Sequence, residues 1–313
     1  MPEDPTDETA TDDPGARMVA AMAGVYGEHP HHRAAHATGV GAAGTFTATP
    51  EAAALSRAPH LQGAPVEAIV RFSNGTGTPG VADGVRDGRG LAVKLRLPGG
   101  TSTDLVGLSL PAFFVRTPAD FLALMAARTP DPATGAPDDA AVGAFVAEHP
   151  ESLTALGAAM AALPPASYAT VRYHGVHTFV AVDAEGRRTP FRYRWEPDAG
   201  EATLTDDEAQ GRPPRYLADE LDERLAAGPA SFTLWFQLAG PDDPLDDPTA
   251  VWPDDRSSVA VGRLELTRTA PADEVEPLIF DPTRVVDGIA CSDDPILAAR
   301  SAAYGASYAR RTR

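Results

Sequence analysis

Apolar and polar positions alternate over residues 66–73 (VEAIVRFS) and 90–97 (GLAVKLRL), which predicts two strands. A Gly- and Asp-rich stretch between them reads as turns. Residues 39–47, with closely spaced glycines, look extended, and 104–115 (DLVGLSLPAFFV) reads as a buried strand with a proline break. Further strands are predicted at 168–182, 188–195, 232–238 and 259–267. Helical patterns cover 16–26, 119–128, 138–148, 151–163 and 214–227, and Thr117-Pro118 gives the second of these a cap and a first-turn proline. A last helix opens with Asp294 as N-cap and Pro295 in its first turn. Strands clustered apart from helices give an α+β chain and not a doubly wound sheet. The strands are numerous enough to close an antiparallel β-barrel core with surrounding helices, although periodicity alone does not prove closure.

Composition narrows the possibilities. A chain of 313 residues can bury about three quarters of the surface its unfolded form exposes. The net charge of −18 argues against nucleic acid or an anionic membrane surface as partner, because phosphate binding needs clustered Lys and Arg. Lys94 is the only lysine; the other basic residues are arginines, which grip carboxylates bidentately, so a ligand with carboxylates is worth considering. Cys291 is the only cysteine, which rules out an intrachain disulfide and cysteine-ligated clusters. Residues 1–15 are acidic and lack the basic start and apolar run of a signal peptide. No apolar run reaches the length of about 18 residues that a membrane span needs. The reading is a soluble cytoplasmic protein, with 1–15 a disordered acidic tail and 16–313 a single domain.

The last helix carries the first candidate chemistry. Arg300, Tyr304 and Arg311 stand at i, i+4 and i+11. At about 100° per residue their directions agree within roughly 40°, so one phenol and two guanidinium groups share a stripe. An arginine one turn from a buried tyrosine favours the phenolate, and a phenolate can ligate ferric iron. The plainer alternative is a tyrosine packed at a helix end beside two solvated arginines. The run His29, His31, His32 and His36 likewise reads as a metal-binding cluster or a solvated turn.

These residues, in this order, resemble the haem catalase superfamily, and most of all its short catalase-related peroxidases. Arg300-Ser-Ala-Ala-Tyr304 followed by Arg311 resembles the proximal haem motif, with Phe280-Asp281-Pro282, Gly288-Ile289 and Ser292 leading into it. The resemblance implies Tyr304 as axial ligand of haem b and Arg300 as the group holding it as phenolate. It implies Asp294 as a supporting carboxylate, His177 (in GVHTF) as part of the same network and Arg311 as a propionate partner. The segment from Arg33 to Phe46 resembles the distal segment, with His36 as the essential base and Arg33 on a propionate; His29, His31 and His32 gain no role. Arg71-Phe72-Ser73 resembles the RFS motif, which puts Arg71 on a propionate and Ser73 on the distal imidazole. Asp87 takes the position of the channel carboxylate, with a surface-turn aspartate as the alternative. Phe145 resembles the aromatic that stacks on the haem; on its own it reads as ordinary core.

One position departs from the pattern. After Asp104-Leu-Val-Gly107, catalases carry an asparagine that orients peroxide, and this chain has Leu108. That substitution puts efficient dismutation in doubt and favours organic hydroperoxides. The chain also stops soon after the ligand helix, so the resemblance implies a catalase-like haem fold without C-terminal wrapping and helical regions. The expected function is a haem-dependent peroxidase acting on hydrogen peroxide and/or organic hydroperoxides, with weak catalase activity and a small-molecule reductant. A homodimer is compatible with this. The alternatives are a fatty-acid hydroperoxide isomerase or dehydratase on the same scaffold, and a haem-binding barrel without catalysis.

Overall fold

Residues 13–312 are described by the computed structural model. They run α1 (Pro14–Tyr26), β1 (Gly39–Ala48), α2 (Pro50–Leu55), β2 (Val66–Asn74), β3 (Arg89–Arg96) and β4 (Ser102–Leu108). Next come α3 (Pro118–Arg128), α4 (Asp139–Glu148), α5 (Leu153–Ala161), β5 (Tyr173–Val182) and β6 (Arg188–Pro197). The chain continues through α6 (Asp206–Gln210), α7 (Tyr216–Ala227), β7 (Ala230–Leu238) and β8 (Ser258–Ala270). It finishes with α8 (Ala272–Val275), β9 (Ile289–Cys291) and α9 (Pro295–Arg311).

The strands hydrogen-bond in the order β4-β3-β2-β1-β8-β7-β6-β5-β9. A pairing of Leu108 with His174 joins β4 to β5, so the first eight strands close into an antiparallel barrel. The glycines of β1 serve this closure. The register between β1 and β8 shifts at Ala43/Gly44, and a side chain on Gly44 would lie 1.9 Å from the Glu265 carbonyl. Only glycine allows that approach.

Period-two alternation then sorts the side chains. On β2, Ala68, Val70 and Phe72 point into the barrel, while Ile69, Arg71 and Ser73 point out. The barrel is filled by aromatics: Phe46, Phe72, Tyr168, Tyr173, Trp195 and Phe232 are all buried, and Phe72 stacks on Tyr168 at 5.4 Å. Each buries on the order of 150–250 Å², so they dominate core stability. None of these six aromatics lines the cavity of the candidate site. The outer face of β2–β4 is covered by a helical layer in which Met18 of α1, Phe121, Leu124 and Met125 of α3, and Ile296 of α9 pack together. The space between barrel wall and helical layer is where the site forms.

Several boundaries differ from the sequence expectation. The first helix begins at Pro14, capped by the Asp13 carboxylate, two residues earlier than the apolar pattern indicates. Most of the proposed tail, residues 1–12, lies outside the described residues. The strand expected over 104–115 stops at Leu108, because its backbone turns away to satisfy other partners: Ser109 N donates to Arg89 O and Phe113 N to Pro248 O. The strand expected from 168 starts at Tyr173, after a short turn at Tyr168–Thr170. Lys94 is structural: it bridges to Asp104 on the neighbouring strand at 2.6 Å in a buried pair.

Candidate active site

A cavity of ≈ 660 Å³ lies between the outer barrel wall and the helical layer. Tyr304, Arg300 and Arg311 of α9 reach it, as do His36, Arg33, Arg71, Ser73, Asp87 and Leu108.

On the helical side, hydrogen bonds form an unbroken chain. Asp294 caps α9 through one carboxylate oxygen, which accepts from Ile296 N at 2.8 Å and Leu297 N at 3.2 Å. Its other oxygen lies 2.6 Å from Nδ1 of His177 on β5. Burial pushes His177 down to about 4, and Asp294 only partly offsets this. The neutral ring therefore donates from Nδ1 to Asp294 and accepts at Nε2 from Arg300, 2.9 Å away. The other amino group of Arg300 donates to the Tyr304 hydroxyl at 2.6 Å. Asp294 thus supports Arg300 through His177 and does not touch it directly. The stripe read from residue spacing holds, and the alternative of two solvated arginines does not.

The barrel side is assembled from separate elements. His36 sits in the loop before β1 with φ 57°, a left-handed conformation that is costly for a residue with a β-carbon. Its backbone is clamped: His36 N donates to Gly75 O at 3.1 Å, and Arg71 Nη1 donates to His36 O at 3.0 Å. Its Nδ1 shares a 3.0 Å hydrogen bond with Ser73 Oγ. A side chain on Gly90 would lie 2.7 Å from Ser73 Oγ and 2.9 Å from His36 Nδ1, so glycine there keeps the pair open. Burial and the positive charge of Arg71 push His36 down to about 4, with a hydrogen bond to the Asn74 carbonyl working the other way. The imidazole is neutral near pH 7 and free to accept a proton. Leu108, the last residue of β4, pairs with Gly90 and presents no hydrogen-bonding group.

At one end, three arginines converge on Glu276. Its side chain accepts from Arg71 Nε at 2.8 Å and Arg33 Nε at 3.3 Å, and its backbone carbonyl from Arg311 at 3.0 Å. Burial and the neighbouring Arg71 push Arg33 down to about 9. Burial favours the neutral form of Glu276, but Arg71 and Arg33 outweigh it and hold the carboxyl below its ordinary range. One carboxylate beside three guanidinium groups leaves two positive charges to be met by an anionic ligand. A dicarboxylate such as the propionate edge of a haem fits that surplus, and the apolar wall of Phe113, Phe114, Phe121 and Leu124 suits a macrocycle.

Other expected residues are placed less directly. Asp87 is not a surface-turn aspartate: it lines the cavity and accepts from Gly75 N at 2.7 Å and Thr76 N at 2.8 Å. It thereby braces the loop that clamps His36. Burial pushes its carboxyl up. Phe145 does not reach the cavity. It stacks on His149 at 4.4 Å within the helical core, and Phe121 takes the position on the cavity wall. The reason is the facing of α3, whose inward stripe carries Phe121, whereas α4 packs behind it. The histidine run forms no metal-ligating cluster among the described residues. His29 bonds Tyr26 O at 2.8 Å and His31 bonds Arg311 O at 3.3 Å, each near a helix end. Glu276 gave no signal in sequence, because its partners lie 205 and 243 residues away. Phe121 could have been found from its helical stripe.

Fold and site together define a catalase-type barrel, with a tyrosine wall facing a histidine wall outside the strands. A family model described as Catalase matches residues 17–313, and the chain belongs to the catalase family. It is 41% identical over 301 residues to a catalase-related peroxidase of Mycolicibacterium paratuberculosis, covering 95% of this chain and 94% of that protein. It is 36% identical over 299 residues to a catalase-related peroxidase of Synechococcus elongatus, covering 95% of this chain and 88% of that one. Catalase A from Saccharomyces cerevisiae superposes with a TM-score of 0.82 at 26% identity, over 91% of this chain and 62% of the yeast chain. The chain thus spans less than two thirds of that longer catalase. No helix among the described residues is long and apolar enough to cross a membrane.

Proposed function

We propose that this chain is a haem-dependent peroxidase that reduces hydrogen peroxide and organic hydroperoxides with a small-molecule reductant and dismutates hydrogen peroxide only weakly. Residues 16–313 act as one haem-binding domain in this reading, and the compartment is the cytoplasm. The observation that carries it is the placement of Tyr304 and His36 on facing walls of one cavity, each held by its own hydrogen-bonded support.

Tyr304 would hold the iron of haem b, and Arg33, Arg71 and Arg311 would hold its propionates. Bound there, the haem supplies the iron at which the O–O bond is reduced. His36, neutral near pH 7, would take a proton from the peroxide and return it to the departing oxygen. Ser73 fixes the ring for that transfer. Arg300 delivers positive charge to the Tyr304 oxygen, and the His177–Asp294 pair fixes Arg300. Asp87 lies on the access path and holds the loop behind His36. The net reaction is ROOH + 2 AH → ROH + 2 A• + H2O, where AH is a one-electron reductant such as a phenol. Dismutation needs a second hydrogen peroxide oriented as the reductant, and Leu108 offers it no hydrogen bond. Measuring phenol oxidation and dioxygen release on the same haem-loaded sample tests this. Phenol oxidation should dominate, and dioxygen release with no phenol oxidation would overturn it.

A further inference from the structure

The charges around the cavity do not balance, and one of them has no task in the chemistry described above. Six arginines line it (Arg33, Arg71, Arg86, Arg128, Arg300 and Arg311), with Asp87 as the one carboxylate on the same wall. In a chain of net charge −18, this is a local field of opposite sign, which concentrates anions. Arg33, Arg71 and Arg311 gather at Glu276, and Arg300 is held by His177 and Tyr304. Arg86 is paired with Asp206 at 2.8 Å. Asp87 is taken up by Gly75 N and Thr76 N. Among the described residues Arg128 alone of the six has neither an ion pair nor a side-chain hydrogen bond.

Arg128 is the last residue of α3, where a cation favours the helix dipole wherever it points. Its direction argues for more. Phe121, Leu124, Met125 and Arg128 stand at i, i+3, i+4 and i+7, and all four line the cavity. The guanidinium therefore ends an apolar stripe facing inward. In the same cavity α5 contributes Leu156, Ala159 and Met160, and Met160 is 78% exposed while lining it, which places it at the mouth. An apolar mouth with one unpaired cation suits a molecule with an apolar body and an anionic head more than it suits hydrogen peroxide.

We propose that Arg128 is the head-group anchor of this cavity, and that the organic substrate is an amphipathic hydroperoxide carrying a carboxylate. This rests on the peroxidase reading for the reaction itself. The carboxylate pairs with Arg128, the chain lies along Leu156, Ala159 and Met160 of α5 at the mouth, and the hydroperoxide group is left to reach His36.

The test has a binding arm and a turnover arm on the haem-loaded protein. Calorimetry with dodecanoate and dodecanol needs no turnover. The protein should bind dodecanoate the more tightly, Arg128→Gln should weaken dodecanoate by roughly ten- to a hundredfold, and Arg128→Lys should keep most of the affinity. Arg188→Gln, at an exposed position on β6, should change nothing. In turnover, the kcat/KM ratio of a fatty-acid hydroperoxide to its methyl ester should fall toward one in Arg128→Gln. Equal binding of dodecanoate and dodecanol, or a dodecanoate affinity indifferent to Arg128→Gln, would overturn the proposal. Loss of all peroxide turnover with the dodecanoate preference intact would sink the peroxidase reading and leave the anchor standing.

Discussion

The two walls of the cavity are built on opposite plans. The tyrosine wall is one helix and one strand, joined by Asp294, His177, Arg300 and Tyr304 in an unbroken series of hydrogen bonds of 2.6 to 2.9 Å. The histidine wall draws His36 from a strained loop, Ser73 from β2 and Leu108 from β4. The first is over-determined: His177 and Arg300 each have one partner on each side, and removing any member leaves another unsatisfied. The second is modular, because Leu108 bonds neither His36 nor Ser73 through its side chain. The difference teaches where this scaffold can vary. The tyrosine wall must be kept whole, while the histidine wall can carry an alkyl group at Leu108 without disturbing its neighbours.

The comparison is most severely tested at Tyr304. Tyr304→Phe removes the phenolic oxygen and strands the Arg300 guanidinium that donates to it. We expect haem content to collapse, with peroxidase activity at background; the haem absorption spectrum after desalting measures it. An unchanged spectrum would show that the helical wall is not the metal side.

His36→Ala should separate the walls. Haem should stay, since Tyr304 and the three arginines are untouched. Peroxide cleavage should slow by about 10²–10⁴-fold, the usual worth of a positioned acid–base group. Stopped-flow mixing with a peracid reads the step directly, and cleavage at the parent rate would return His36 to a merely structural loop residue.

The third expectation concerns acid. His60 and His177 are 3% and 2% exposed, and burial depresses both to about 4. Unfolded, they titrate near 6.5, so between those values the unfolded chain binds more protons and folding weakens as pH falls. Each contributes a slope of up to about 1.4 kcal/mol per pH unit across that window, and the contribution is fully present above it. Urea midpoints at pH 7, 6 and 5 follow the loss. His177→Asn and His36→Asn should each flatten the curve by a similar slope, because burial holds both rings near 4. A curve that both variants leave unchanged would mean that neither ring is held neutral by burial.

The smallest effect lies at Leu108. Leu108→Asn adds one donor to the modular wall and should raise dioxygen release from hydrogen peroxide by roughly tenfold, the worth of one hydrogen bond, with little cost to phenol oxidation. An oxygen electrode decides it. No change in dioxygen release would mean that Leu108 does not limit dismutation.

Local spacing along the chain determined the α9 stripe, the cap at Asp294 and the alternation that turns Arg71 and Ser73 to the same side of β2. These are properties of a single helix or strand, so periodicity and turn chemistry suffice to read them. The catalase-like order of motifs from Arg33 to Arg311 was legible for the same reason, since each block is short and contiguous. Only the tertiary structure decided what lies between elements. Barrel closure rests on the one pairing of Leu108 with His174, and no local pattern encodes a contact between strands separated by three helices. The choice of Phe121 over Phe145 depends on which of two helices stands in front. The role of Glu276 depends on arginines brought to it from opposite ends of the chain. Side-chain direction within an element is fixed by backbone geometry, whereas the packing of one element on another is settled by the sum of many small contacts, which no short stretch of sequence contains.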